Sequence, residues 1–203
     1  GLNSWEQAYM KPELVETAVS QDYLIASYDS YHSIHEPGRE QWITAQFDDP
    51  ALYENAVITD QNGKPESGFQ NVGRKLNPAL SLPAVKNRME GIMSSQLPFN
   101  SWFIDCDATG EIYDDYTPSH ITTQEEDLSA RLERMSYIRD QYHLVIGSEG
   151  GNDFAASDIA YAHGIELKTF AWMDEDMKKN QDSDYYIGKR SEEHTSELQS
   201  PGA

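Results

Sequence analysis

The chain has 203 residues, 38% of them hydrophobic and 11% aromatic, and a formal net charge of −20. Such a negative chain disfavours nucleic acid and anionic membrane surfaces as partners, since both select clusters of Lys and Arg. The single cysteine excludes an internal disulfide bond but leaves the compartment open, because many secreted bacterial enzymes also lack disulfides.

Apolar periodicity, capping residues and turn residues predict alternating helices and strands along the chain. In chain order these are helix 4–20 with a break at Pro12, strand 22–28, helix 78–95, strand 102–105, helix 124–141, strand 143–147 and a helical segment 153–162. For helix 124–141 we expect Thr123 as the N-cap and a buried stripe of Leu128, Leu132, Met135 and Ile138. Between the first strand and the second helix, Asn62-Gly63 indicates a tight hairpin turn inside an insertion over 36–77.

Strands that alternate with helices at this spacing predict βαβ units and a parallel sheet. A complete (β/α)₈ barrel needs about 250 residues, so the sequence predicts an α/β fold that is part of a TIM-type barrel, with a hairpin-containing insertion. The segment Arg190 to Ser200 looks like the in-frame translation of a short-read sequencing adapter. We therefore expect 1–189 to be a fragment of a longer catalytic domain and 190–203 to be a non-native tail.

Two short apolar runs each end at an acidic residue. Residues 102–104 lead into Asp105, and residues 144–146 lead through Gly147 and Ser148 into Glu149. Neighbouring strands lie about 4.8 Å apart, so the two carboxylates could approach the 5–5.5 Å separation that retaining glycosidases use for a nucleophile and an acid/base. The plainer alternative is that both acids cap the loops or helices that follow them.

Aromatic side chains near the strand ends favour a carbohydrate site, because sugars bind aromatic platforms combined with polar groups. The candidates for substrate contact are Tyr28, Tyr31 and Trp172. Asp29 and His32 could bind sugar hydroxyls or a metal ion, or simply form hydrogen bonds within their loop. Asp107 is a further candidate, and it would replace Asp105 as nucleophile if it faced Glu149.

Metal chemistry is the main alternative. A metal-dependent hydrolase would use Asp105, Asp107 and His32 as ligands, although no pair of ligands has the spacing that fixes a zinc site on one element. A calcium ion among Asp107, Glu111, Asp114 and Asp115 is another alternative. We predict no cofactor and no bound metal, and we expect Cys106 to be a small buried side chain that points away from its acidic neighbours.

The segments Phe103-Ile-Asp-Cys-Asp107 and Gly147-Ser-Glu149-Gly resemble the catalytic region of glycoside hydrolase family 129 and its relatives in family 101. These are retaining endo- and exo-α-N-acetylgalactosaminidases with a (β/α)₈ barrel, and the resemblance covers roughly residues 20–175. It implies that Asp105 is the nucleophile, that Glu149 is the acid/base, and that Asp29 and His32 contact substrate.

From this resemblance we expect a retaining glycosidase that acts on O-glycans by double displacement, with a carbohydrate as its partner. The fragment by itself is expected to be inactive, because its barrel is incomplete. A non-catalytic carbohydrate-binding barrel remains the second alternative to the glycosidase, beside the metal-dependent hydrolase.

Overall fold

The structure is a computed structural model that describes residues 11–163 and 180–182. The regular elements are, in chain order, α1 (Pro12–Ser20), β1 (Ala26–Ser30), β2 (Ser33–Ile34), α2 (Leu52–Asn55), β3 (Arg74–Lys75), α3 (Pro78–Met93), β4 (Ser101–Asp105), α4 (Gln124–Tyr142), β5 (Val145–Glu149) and β6 (Tyr161–His163). Short 3₁₀ turns lie at Ile43–Ala45, Phe69–Asn71 and Asp153–Ala155. No helix among the described residues is long and apolar enough to cross a membrane.

Strands β1, β4, β5 and β6 form a parallel sheet in that order. The crossover from β1 to β4 contains the insertion and α3, and the crossover from β4 to β5 contains α4. This arrangement confirms the α/β class and the parallel sheet that the sequence predicts. It also suits part of a (β/α)₈ barrel, in which each strand is followed by a helix.

The two faces of the sheet differ. Trp102, Ile104 and Ile146 alternate onto one face, where they are almost fully buried against helical residues such as Val85 and Met135. The opposite face carries the residues between them, Phe103 and Asp105 on β4 among these. In a complete barrel the first face lies under the helices and the second faces the interior.

Strand β6 corrects the prediction of a helical segment over 153–162. Only the single turn Asp153–Ala155 is helical there, and the chain then pairs with β5 through Gly147 and Tyr161. The connection is fastened by the Ala160 N–H, which donates to the Ile146 carbonyl at 2.8 Å. A strand of three residues is too short to show a period, so the pairing with β5 rather than local pattern creates it.

Helix α4 begins as predicted, with a capping box in which the Thr123 hydroxyl accepts from the Glu126 N–H. Its buried face differs from the predicted one. Met135 and Ile138 are buried, but Leu128 and Leu132 are only half-buried. The remaining fully buried positions of this helix are charged: Asp127, Arg131 and Arg134.

The insertion contains the predicted tight turn. Gly63 adopts φ +76°, and the Asp60 N–H donates to the Lys64 carbonyl at 2.9 Å across the turn. The buried Asp115 fastens the insertion to the long loop before α4, because its carboxylate accepts from the Thr59 N–H at 3.0 Å and from Asn77 Nδ2 at 2.7 Å. The predicted tail over 190–203 lies outside the described residues and stays a prediction.

Candidate active site

Asp105 and Glu149 are the last residues of the neighbouring strands β4 and β5. One oxygen of Asp105, one oxygen of Glu149 and the Cys106 Sγ all lie within 4.8 Å of one another. The two acids therefore meet at one edge of the sheet, as the sequence predicts, while their catalytic roles stay predictions. This edge is the carboxyl end of the strands, where α/β barrels hold their chemistry.

Tyr28 binds one of these acids directly. Its hydroxyl donates to Asp105 Oδ2 at 2.7 Å, from the adjacent strand β1. Burial, and then the negative charge of Asp105, raise the pKa of Tyr28 well above its usual range. The phenol is therefore protonated at all physiological pH values, and its hydrogen bond orients the Asp105 carboxylate.

Cys106 contradicts the prediction that it points away from the acids. It leaves the strand with φ +64°, a left-handed conformation, so the alternation of a strand no longer applies to its side chain. The Sγ lies 3.5 Å from Glu149 Oε2. Burial, followed by the charges of Asp105 and Glu149, raises the pKa of the Cys106 thiol, which therefore stays neutral beside the two carboxylates.

Aromatic rings line the same face of the sheet below the acids. Phe103 stacks on Tyr28 with 6.0 Å between ring centroids, and its centroid lies 6.4 Å from that of Tyr161 and 6.1 Å from that of His163. Gly147 leaves the space that the Tyr161 ring fills, since a Cβ there would overlap it. Sequence reasoning missed Tyr161 and His163 because it missed the strand that carries them.

Asp107 is not at this edge, which corrects its prediction as a substrate-binding residue. Its carboxylate is fully buried in the helix layer and accepts two hydrogen bonds from Arg134, one of them from Nε at 2.6 Å. Arg134 also donates to Ser81 Oγ at 3.0 Å. Asp107 is therefore neither a substitute nucleophile aimed at Glu149 nor a ligand at the substrate.

Asp29 and Tyr31 need a similar correction. Asp29 is 2% exposed, on the helix-facing side of β1, and Arg88 Nη1 donates to its Oδ1 at 2.6 Å. The Tyr31 ring is fully buried, with the guanidinium carbons of Arg88 and Arg134 at 5.4 and 5.5 Å from its centroid. The structure uses both residues in the core instead of presenting them to a substrate. Trp172, the third predicted aromatic contact, lies outside the described residues.

The His32 ring likewise contacts neighbouring side chains of the protein. Its Nε2 lies 2.6 Å from Lys75 Nζ and 3.4 Å from Glu111 Oε2. Burial lowers the pKa of His32, and a lysine ammonium can only donate, so the neutral ring accepts the Lys75 hydrogen bond through Nε2. The Glu111 carboxylate is then paired with Lys75, at 3.2 Å, rather than with the imidazole.

The ligand sets of the metal alternatives do not assemble in the described part of the chain. Asp107 pairs with Arg134, His32 with Lys75, and Asp115 with His120 at 2.8 Å. Within residues 11–163 and 180–182, the group close enough to hold one ion is Asp105, Cys106 and Glu149. Any metal chemistry in this region would therefore have to use the two candidate catalytic acids themselves.

The family model of glycosyl hydrolases related to the GH101 family, GH129, matches residues 1–199. That range includes most of the segment predicted to be a non-native tail. The comparison with curated proteins gave no match.

Among solved structures, the chain is similar to the α-N-acetylgalactosaminidase NagBb from Bifidobacterium bifidum in complex with Gal-NHAc-DNJ. The TM-score is 0.63 at 19% identity, over 86% of this chain and 25% of that one. Its complex with GalNAc gives 0.61 at 19% identity, over 77% and 24%. The cycloalternan-degrading enzyme from Trueperella pyogenes with isomaltose gives 0.51 at 11%, over 74% and 22%. These likenesses show a shared fold, and the chain spans about a quarter of the length of these structures.

Proposed function

The chain belongs to the glycosyl hydrolases of family GH129, related to family GH101, and on that premise we propose that it carries the two catalytic carboxylates of a retaining glycosidase. The observation that carries the proposal is the approach of Asp105 and Glu149, whose nearest oxygens lie within 4.8 Å. Retaining enzymes hold their carboxyl groups about 5–5.5 Å apart, whereas inverting enzymes need about 6.5–9.5 Å for a water molecule. A nearest oxygen–oxygen distance of at most 4.8 Å is compatible with the retaining arrangement, and we propose double displacement because the family resemblance implies it.

In this mechanism Asp105 attacks the anomeric carbon while the glycosidic C–O bond breaks and Glu149 gives its proton to the leaving oxygen. The product is a glycosyl ester on Asp105. Glu149, now a carboxylate, then removes a proton from water, which attacks the same carbon and releases Asp105. The Tyr28 hydroxyl holds Asp105 Oδ2 and leaves the other oxygen of that carboxylate for the attack.

For the substrate we propose an α-linked N-acetylgalactosamine of O-glycans. This part of the proposal rests on the family and on the likeness to NagBb, whose solved complexes contain GalNAc and Gal-NHAc-DNJ. Because the chain spans about a quarter of those structures, we propose that activity belongs to a longer protein that contains it. The remaining strands of the barrel would supply the other walls of the sugar site.

The test uses the full-length protein encoded by the uninterrupted gene, assayed with activated aryl α- and β-glycosides. We expect hydrolysis of the aryl α-N-acetylgalactosaminide. Asp105→Asn should lower kcat on the order of 10⁴-fold or more, as removal of a catalytic nucleophile does in other enzymes. Glu149→Gln should retain turnover of a substrate whose leaving group needs no proton.

Azide separates the two roles further. In Glu149→Ala, azide should attack the glycosyl-enzyme and give a glycosyl azide of the same anomeric configuration as the substrate. In Asp105→Ala, azide should replace the nucleophile and give a glycosyl azide of the opposite configuration. Full activity of Asp105→Asn would refute the assignment, and glycan binding by the wild-type protein without turnover of any glycoside would favour the non-catalytic alternative.

A further inference from the structure

Ser148 joins the two strand ends that carry the candidate acids. It is fully buried on β5, and its hydroxyl donates to the Ile104 carbonyl at 2.6 Å. The same oxygen accepts from the Ala108 N–H at 3.2 Å. Ile104 precedes Asp105, and Ala108 follows the turn that Cys106 begins, so one hydroxyl spans the turn from its start to its end.

This hydroxyl lies where the regular pairing of the two strands stops. The parallel register of β4 with β5 runs from Ser101 opposite Val145 to Ile104 opposite Ser148. Asp105 and Glu149 come one residue later, and the chain then turns away at Cys106 with φ +64°. The pairing of β4 with β5 thus ends one residue before Asp105, which still pairs with Ser30 of β1, and the Ser148 hydroxyl adds a contact from β5 to the turn that follows.

The loops beyond the strands are also in direct contact. Gly150 has φ +91°, and a Cβ there would lie 2.6 Å from the Thr109 Cα and 2.7 Å from the Ala108 oxygen. The Asn152 N–H donates to that same carbonyl at 2.9 Å. Only glycine allows this approach without displacing the backbone of the neighbouring loop.

From the helix side, Arg131 Nη1 donates to the Cys106 carbonyl at 3.3 Å, and Arg134 binds the Asp107 carboxylate. These contacts hold the turn against α4, whereas the Ser148 contacts hold it against β5. The position of Asp105 relative to α4 and its position relative to Glu149 thus depend on different residues.

We propose that Ser148 is a positioning residue that sets the separation of the Asp105 and Glu149 carboxylates by holding the turn 105–108 against β5. This inference rests on the proposed function for its catalytic meaning, since the separation matters only if both acids act on one substrate. The positioning of the turn by Ser148 can be measured on the chain itself, without an activity assay.

The measurement uses Cys106, the only cysteine of the chain, as a probe inside the turn. The rate of Cys106 alkylation by iodoacetamide under native conditions reports how often the turn opens. Ser148→Ala removes both hydrogen bonds by which this hydroxyl closes the turn, and it should raise the alkylation rate at least about 5-fold.

Ser101→Ala is the matched control. Ser101 is fully buried on the same strand pair, and its hydroxyl also donates to a carbonyl across it, Val145 O at 2.7 Å, but at the far end of the strands. We expect its alkylation rate to equal that of the wild type at the same folded fraction. Equal rates in Ser148→Ala and Ser101→Ala would overturn the proposal.

Gly150→Ala provides a second variant if Ser148→Ala fails to fold. Its Cβ should push the loop at Ala108 and Thr109 away from β5 and so accelerate alkylation as well, and an unchanged rate would again contradict the proposal. In the full-length protein, Ser148→Ala should lower kcat about 10–100-fold with little change in KM, the effect of a misplaced catalytic group. The two proposals can fail separately. If the wild type shows no turnover but Ser148→Ala still accelerates alkylation, the proposed function is refuted and the positioning role of Ser148 stands.

Discussion

Asp105 and Asp107 are the same residue type, two positions apart, and the structure places them in opposite environments. Asp105 ends its strand at the edge of the sheet, half-buried, with the Tyr28 hydroxyl on one oxygen. Asp107 is fully buried in the helix layer, where Arg134 binds both of its oxygens. In a continuing strand both side chains would face the same way.

Cys106 produces the difference. Its left-handed backbone ends the strand between the two acids and turns the following residue toward α4. One acid is thereby left to face a ligand, and the other becomes half of an ion pair that anchors the turn. The comparison teaches that spacing alone does not assign a carboxylate to a site, because one residue with positive φ reverses the expected direction.

The largest effect expected from the different environments of the two acids is on the free energy of unfolding. Asp107→Asn should lower the free energy of unfolding by roughly 3–5 kcal/mol, because it leaves the buried Arg134 without its counter-charge. Asp105→Asn should change it by less than about 1 kcal/mol, since the amide oxygen still accepts from Tyr28. Urea denaturation of the two isosteric variants measures both values. Equal losses would mean that the two acids are not separated in this way.

A smaller effect tests the turn itself. At φ +64° a β-branched residue is strained and glycine is not. Cys106→Val should therefore be less stable than Cys106→Gly by about 1–2 kcal/mol, the cost of the left-handed conformation. The same denaturation assay compares the two variants directly. Valine tolerated as well as glycine would contradict the backbone conformation that sends Asp107 into the helix layer.

The smallest expected effect is the pH dependence of stability that arises from His32, another buried side chain. Burial lowers the pKa of His32 in the folded state, and the charges of Lys75 and Arg131 act in the same direction. The folded state thus binds the proton less well than the unfolded state, in which the histidine pKa is about 6.5. The free energy of unfolding therefore keeps the full His32 contribution above that pH and decreases below it.

The expected loss is at most about 1.4 kcal/mol per pH unit below pH 6.5. His32→Gln keeps an acceptor for Lys75 but does not titrate, so its stability should fall less between pH 7.5 and pH 5. Unfolding free energies of wild type and variant at the two pH values provide the measurement. Parallel curves would show that His32 is not the group responsible.

The predictable parts of this chain are those that short segments encode. The Thr123 cap with Glu126, the turn at Asn62-Gly63 and the apolar runs before Asp105 and Glu149 each carry a local signal, and the structure contains all of them. The pairing of individual side chains between elements was not predictable in this way. The charged residues Arg131 and Arg134 lie on the buried face of α4. Asp127 of the same helix and the Cys106 carbonyl accept hydrogen bonds from Arg131, and the Asp107 carboxylate accepts from Arg134.

The sequence by itself determined the alternation of helices and strands, the family resemblance and the acids that end β4 and β5, because each follows from residue type and spacing along one segment. Tertiary structure alone decided which of the neighbouring acids face one another and which are paired in the core. Asp29, Tyr31, His32 and Asp107 found partners in Arg88, Arg134 and Lys75, residues distant in the sequence. Burial makes such pairing obligatory for a charged group, yet the partner is supplied by packing and leaves no trace in the local pattern.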